Sequence, residues 1–296
     1  MYRSLECRPD SYREWYQRGN KLRAEGYYQE ALTSYEKALN YQPCDYWTWY
    51  RKGVVLEALG EYTEAIESYT QASAIEPDNY WSWYEQGCIY FTEFEQYDKA
   101  IACFNKALVA KPQDYWTVYR IGESWRKSGE YEQAISYYNW ALELRPDDFW
   151  SYYRLGEAQQ QWSKLELALA SYDRALDLEP DDYWTWYQKG IIEQELDNLS
   201  KAIAYYDRAI TLDSKSDTAY YKRACCYALL KNTTSNTNQA IINLEKAIDL
   251  YPEKYIQLAI DESIWHKFHR QKGFQLLVDN KSRLYDLKMN RTLRGK

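Results

Sequence analysis

Asp45-Tyr46-Trp47-Thr48-Trp49-Tyr50 is not a single occurrence in this chain. Near-copies begin at Ser11 (SYREWY), Asn79 (NYWSWY), Asp114 (DYWTVY), Asp148 (DFWSYY) and Asp182 (DYWTWY). Three residues after each copy stands a glycine: Gly19, Gly53, Gly87, Gly122, Gly156 and Gly190, with Ala224 in a last, degenerate copy. The spacings between these small residues are 34, 34, 35, 34, 34 and 34. A fixed period of this size belongs to a stacked repeat, so the 296 residues are read as one growing array and not as two globular domains.

With the small residue set at position 8, the repeats are 12–45, 46–79, 80–114, 115–148, 149–182, 183–216 and 217–256. Position 20 is Ala31, Ala65, Ala134, Ala168 and Ala202; position 24 is Tyr35, Tyr69, Tyr138, Tyr172 and Tyr206; position 27 is Ala38, Ala72, Ala141, Ala175 and Ala209. Steps of four and three put these residues on one face of a helix. Gly26, Gly60 and Gly129 at position 15 separate two helices, and Pro43, Pro77, Pro146 and Pro180 at position 32 end the second. Each repeat is therefore a helical hairpin. Asp45, Asp114, Asp148 and Asp182 precede first helices and read as N-caps.

Trp at 4, Gly at 8, Ala at 20, an aromatic at 24, Ala at 27 and Pro at 32 together resemble the tetratricopeptide repeat (TPR). The resemblance covers residues 12 to 256 and implies an all-α, right-handed α-solenoid of about seven hairpins. Repeat three carries one extra residue before Ala100, and repeat six has Ser214 in place of Pro. Repeat seven holds a four-residue insertion within Lys231–Asn238, expected as a polar loop. Residues 1–11 are a lead-in. Beyond Pro252 the period stops while apolar helical spacing continues, so 253–280 is expected to be a C-terminal helical cap over the last repeat. Residues 281–296 form a basic tail, weakly ordered or docked on the acidic body. His266 and His269 read as polar positions of the cap, since no third ligand has metal spacing.

The first helix carries two stripes. Positions 4, 7, 8 and 11 hold Trp15, Trp49, Trp83, Trp186 and the small residues, and are expected to be core. Tyr46, Tyr80, Tyr115, Phe149 and Tyr183 at position 1 are expected to pack against the previous repeat. The second stripe is unusually aromatic for a face turned to water. Position 2 is Trp47, Trp81, Trp116, Trp150 and Trp184; position 5 is Tyr16, Tyr50, Tyr84, Tyr119, Tyr153, Tyr187 and Tyr221. In similar proteins these positions line a concave groove, so the resemblance implies a ladder of Trp/Tyr pairs facing a ligand. The alternative is that the rings only cement neighbouring helices. Positions 9, 12 and 13 vary, as specificity positions should, and include Asn20, Arg23, Glu57, Cys88, Phe91, Glu123, Arg126, Lys127 and Glu157. Position 5 is Tyr where TPR domains that grip a C-terminal carboxylate place Lys.

Residues 281–296 carry a net +5, which leaves −12 on the rest of a chain whose total is −7. An acidic body argues against nucleic acid as a partner. Six cysteines without CxxC or zinc spacing read as thiols of a reducing cytosol. No apolar run reaches the roughly 20 residues of a membrane span, so a cytoplasmic protein is expected. No phosphate loop, HExxH or paired nucleophile and base appears, so neither an enzyme nor a cofactor is expected. The reading is a non-catalytic protein-interaction scaffold that holds an extended peptide or helix of another protein in an aromatic groove. A binder of planar or sugar-like small molecules is the alternative, and a homo-oligomer is left open. Single-stranded RNA, a third class that stacks on aromatic rings, is disfavoured by the acidic body.

Overall fold

The computed structural model describes residues 11–231 and 233–294, and for 286–294 the backbone alone. The lead-in before Ser11, Cys7 and most charges of the basic tail lie outside the described side chains. Every regular element among the described residues is helical. The chain divides into two compact units, Met1–Asp147 and Asp148–Lys296.

Unit 1 holds four hairpins: α1 (Tyr12–Ala24) with α2 (Tyr28–Tyr41), α3 (Tyr46–Ala58) with α4 (Tyr62–Ile75), α5 (Tyr80–Thr92) with α6 (Tyr97–Ala110), and α7 (Tyr115–Lys127) with α8 (Tyr131–Leu144). Unit 2 holds three: α9 (Phe149–Gln161) with α10 (Leu165–Leu178), α11 (Tyr183–Glu195) with α12 (Leu199–Leu212), and α13 (Asp217–Leu229) with α14 (Thr234–Leu250). It closes with α15 (Pro252–Asp261), a 3₁₀ turn over Ser263–Trp265 and α16 (Lys272–Arg294).

Helix starts follow the expected chemistry. The side chains of Ser11, Asp45, Asn79, Asp114, Asp148, Asp182 and Ser216 each accept a backbone N–H of the first turn. Between the two helices of a hairpin the chain passes through the left-handed region, at Gly26, Gly60 and Gly129 (φ 83°, 78° and 86°). Where glycine is missing, Glu95, Ser163 and Asp197 take that conformation themselves.

The hairpin is locked by one contact between its helices. A Cβ on Gly53 would stand 2.7 Å from the ring of Tyr69, a residue of zero exposure, and Gly19, Gly87, Gly156 and Gly190 meet the ring at position 24 in the same way. The glycine at 8 is there because the ring at 24 is. Repeat seven pairs Ala224 with Leu244, both fully buried: without the ring, the methyl has room.

One expectation changes. In repeat seven the polar insertion is only partly loop, because Thr233 accepts the amide of Asn236 and starts α14 one turn early. At the C-terminus, α16 runs across residue 280 without a break, and Lys281 pairs with Glu245 (3.2 Å) and Asp249 (2.5 Å) of α14. The cap itself buries Trp265, Phe268, Phe274, Leu277 and Val278 with Tyr221 and Leu244 of the last hairpin, as an open stack requires. His269 Nε2 lies 3.1 Å from the Ala259 carbonyl, and no group of three metal-ligating side chains occurs among the described residues.

Candidate functional site

The first stripe is less deeply buried than its spacing suggests. Trp15 is buried, but Trp49, Trp83 and Trp186 are only half-buried. Their indole N–H groups donate to the carbonyls of Pro43, Pro77 and Pro180, while Lys52, Lys106 and Lys189 lie over their faces. A surface cavity of about 570 Å3 opens beside Trp49, lined also by Leu32, Lys52, Leu56 and Ile66. Lys52 and Glu36 on its wall pair with each other at 3.2 Å. It does not reach the second stripe.

At position 1 the packing direction is the reverse of that expected. The Tyr46 hydroxyl donates to Asn79 Oδ1 (2.8 Å) and the Tyr80 hydroxyl to Asp114 Oδ2 (3.0 Å), each the N-cap of the next first helix. In unit 2 Tyr183 shares a 2.5 Å hydrogen bond with Ser216 in the same sense. Repeats two, three and six thus each fasten the helix start of their successor.

The second stripe separates into an exposed and an enclosed half. The tryptophans of position 2 face solvent: Trp47 (42%), Trp81 (43%) and Trp116 (52%) in unit 1, Trp150 (55%) and Trp184 (58%) in unit 2. The tyrosines of position 5 do not. Tyr50 and Tyr153 are buried, and Tyr16, Tyr84, Tyr119 and Tyr187 half-buried, because the ring also packs on the aromatic at position 24, as Tyr50 does on Tyr69 at 5.6 Å, while Tyr221 is buried against Tyr255 and Trp265. Position 5 therefore serves as a brace. Trp47 stands edge-on to Tyr46 (5.1 Å, 89°) and to Tyr50 (5.9 Å, 88°), and Trp116, Trp150 and Trp184 repeat the arrangement. An exposed indole held by two rings has little rotamer freedom left to lose on binding. Two of these indoles also carry a cation: Lys111 Nζ lies 4.5 Å from the centre of Trp81, and Arg145 Cζ 5.3 Å from that of Trp116.

The charged residues expected beside the ladder are placed unequally. Glu123 is buried, takes the Tyr138 hydroxyl and is clamped by Arg126 through two 3.1 Å hydrogen bonds. Glu157 is half-buried and paired with Arg154 at 2.6 Å, whereas Lys127 is exposed. Variable positions 9 and 12 supply partners for the buried phenols of position 24: Tyr35 donates to Asn20, Tyr69 to Glu57, Tyr172 to Gln160 and Tyr206 to Gln194. Tyr221 lies under the cap, donating to Glu262 (2.6 Å) and accepting from Trp265 (3.2 Å).

Position 6 was absent from the sequence reading and matters here. Glu85 is half-buried, accepts the Tyr50 hydroxyl at 3.3 Å and is pushed up to about 7, chiefly by burial and next by the charge of Glu57. Glu57 is itself raised, first by burial. The signal that could have found it is the meeting of position 6 with position 12 of the hairpin before.

Family comparison agrees with this repeat geometry. The descriptions "TPR repeat" (residues 19–60 and 122–161) and "Tetratricopeptide repeat" (46–79, 82–114, 153–217 and 218–254) match in succession along the chain. The chain belongs to the tetratricopeptide-repeat family. Among solved structures, the C-terminal part of a TPR repeat-containing protein from Cytophaga hutchinsonii aligns with a TM-score of 0.69 at 19% identity, covering 82% of this chain and 98% of that one. MamA from Desulfovibrio magneticus aligns at 0.53 and 20%, over 58% and 97%. YrrB, described as a TPR protein with an unusual peptide-binding site, aligns at 0.52 and 22%, over 64% and 94%. These likenesses concern the fold. No curated protein sequence matches the chain.

Proposed function

We propose that this TPR protein is a non-catalytic interaction scaffold that holds an extended peptide or helix of another protein against the tryptophans of position 2. One observation carries the reading: every repeat from the second to the sixth spends an exposed tryptophan at the same place. Packing between hairpins does not need it, since the tyrosines at 1, 5 and 24 already fill that space. Repeated, braced, solvent-facing aromatics are the anchors that dominate interface energies. The peptide-binding site named for YrrB supports the same class of partner. No helix of the described residues is long and apolar enough to cross a membrane. The five described cysteines are free thiols, and burial raises four of them, Cys88, Cys103, Cys225 and Cys226, which favours a reducing, cytoplasmic setting.

The test is a peptide-library selection on the full chain, followed by alanine at Trp81, Trp116 and Trp150. Each change is expected to weaken binding of a selected peptide by about 1–4 kcal/mol. The melting temperature should correspond to a stability loss of no more than about 1 kcal/mol. Losses of about 3–5 kcal/mol in stability would make the indoles structural cement and sink the proposal. Selection of no peptide, with a planar or sugar-like ligand quenching the indoles instead, would replace it by the small-molecule reading.

A further inference from the structure

In several repeats the ring at position 4 is covered by a cation from the second helix. In repeat one, Arg18 Cζ at position 7 stands 5.5 Å from the centre of the Trp15 ring, and Lys37 Nζ at position 26, on α2, stands 4.4 Å from it. In repeat three, Lys106 Nζ at position 26 lies 3.9 Å from Trp83, and in repeat five Arg174 Cζ lies 5.7 Å from Tyr152. Repeat two keeps the cation of position 7, with Lys52 Nζ 5.4 Å from Trp49, but its position 26 is Gln71 and α4 contains neither lysine nor arginine. The surface cavity of about 570 Å3 opens at this place, with Trp49 and Gln71 both in its wall.

The wall suits a cation on an apolar stem. Leu32, Leu56 and Ile66 supply apolar surface, and the Trp49 indole is held by the 2.7 Å hydrogen bond from its Nε1 to the Pro43 carbonyl, so its face is set before anything binds. Four glutamates, Glu36, Glu61, Glu64 and Glu67, line the cavity against one lysine, Lys52. Lys52 pairs with Glu36 at 3.2 Å, and among the described residues Glu61, Glu64 and Glu67 enter no ion pair. These three occupy positions 16, 19 and 22, where repeat one has Tyr27, Glu30 and Thr33 and repeat three has Gln96, Lys99 and Ala102. None of the other first six repeats places an acid at more than one of these positions. The acids therefore coincide with the repeat whose own cation is missing. They do not converge on a metal ion, since no group of three metal-ligating side chains occurs among the described residues.

We propose a second binding site here, apart from the tryptophans of position 2: the cavity of repeat two takes a lysine or arginine side chain from a basic segment of a partner protein. Its stem lies along Leu32, Leu56 and Ile66, and its charge meets the face of Trp49 with Glu61, Glu64 and Glu67 around it. The guest fills the place that Lys37 and Lys106 fill from within in repeats one and three. Neither Trp47 nor Tyr50 lines the cavity, so this site and the groove stand or fall separately.

Gln71→Lys supplies the internal cation that repeats one and three already carry, so it is expected to fold and to close the site. A random peptide library displayed on phage is selected on the full chain, and each clone is then tested on Gln71→Lys and on Trp81→Ala. A class of peptides lost on Gln71→Lys but kept on Trp81→Ala is expected, each with a Lys or Arg whose replacement by norleucine weakens binding about tenfold. Glu64→Gln combined with Glu67→Gln should weaken the same peptides, more at low salt than at high, and this pair decides the matter if Gln71→Lys does not fold. Clones lost on Trp81→Ala alone, with none lost on Gln71→Lys, support the groove and overturn this site. Peptides of the expected class that bind equally well with norleucine overturn the charge assignment. Self-association of the full chain that Gln71→Lys abolishes, measured by sedimentation, would make a second copy the occupant and overturn the assignment to a partner protein.

Discussion

Repeat two and repeat seven meet the same packing demands with different atoms. In repeat two, Gly53 gives up its side chain to the ring of Tyr69; in repeat seven, Ala224 keeps a methyl because Leu244 replaces the ring. The position 5 tyrosine of repeat two, Tyr50, reaches Glu85 of the next first helix. Its counterpart Tyr221 reaches Glu262 of the cap, so the cap presents a carboxylate where a further hairpin would present one. Position 2 diverges most: an exposed Trp47 against Thr218. The frame of the repeat is transferable, with the cap standing in for a neighbour, while the exposed indole is an addition the frame does not need.

The comparison breaks most visibly at tryptophan. Trp265 has no exposure and touches Tyr221, Phe268 and Phe274, whereas Trp47 is two-fifths exposed. Trp265→Ala is expected to cost about 3–5 kcal/mol in chemical denaturation. If instead it costs no more than Trp47→Ala, the cap is not what closes the stack.

The exchange of Gly–Tyr for Ala–Leu is sharpened by moving it. Gly53→Ala places a methyl against a rigid, buried ring and should cost about 1–3 kcal/mol. Tyr69→Leu added to it should recover part of that loss, measured as a positive coupling in a double-mutant cycle. Additive losses would show that the two positions do not share the space.

The smallest effect concerns Glu85, which Glu262 imitates in the cap. Its carboxyl is raised from an ordinary 4.5 to about 7 by burial and by Glu57, and Tyr50 hydrogen-bonds to it. A proton held more tightly folded than unfolded stabilises the fold below about pH 4.5, and that contribution is lost as pH rises through about 7. Glu85→Gln should therefore match the parent at acid pH and exceed it by about 1–3 kcal/mol above about pH 7. A difference independent of pH would mean that Glu85 is solvated in the folded state.

Much of this architecture is legible along the chain. The 34-residue period, the capping aspartates, the glycines at 15 and the Gly–aromatic spacing of 8 and 24 each act within one hairpin, so local sequence reports them. The family resemblance drawn from six spaced positions holds over all seven repeats. Helical periodicity put positions 2 and 5 on one stripe, and they do touch; it could not separate Trp47, left in solvent, from Tyr50, enclosed by Tyr69.

By itself, then, the sequence determined the repeat, its hairpin, its caps and the need for a terminal cover, because these follow from propensity and from spacings inside 34 residues. Only the tertiary structure decided which aromatics remain exposed, that Tyr46 fastens the next helix start and not the previous one, and that the Tyr50 hydroxyl reaches Glu85 of the next repeat. Those outcomes depend on side chains from different hairpins arriving at one place. A helical wheel describes the angle at which a residue leaves its own axis; burial and charge are set by what the neighbouring axis brings against it.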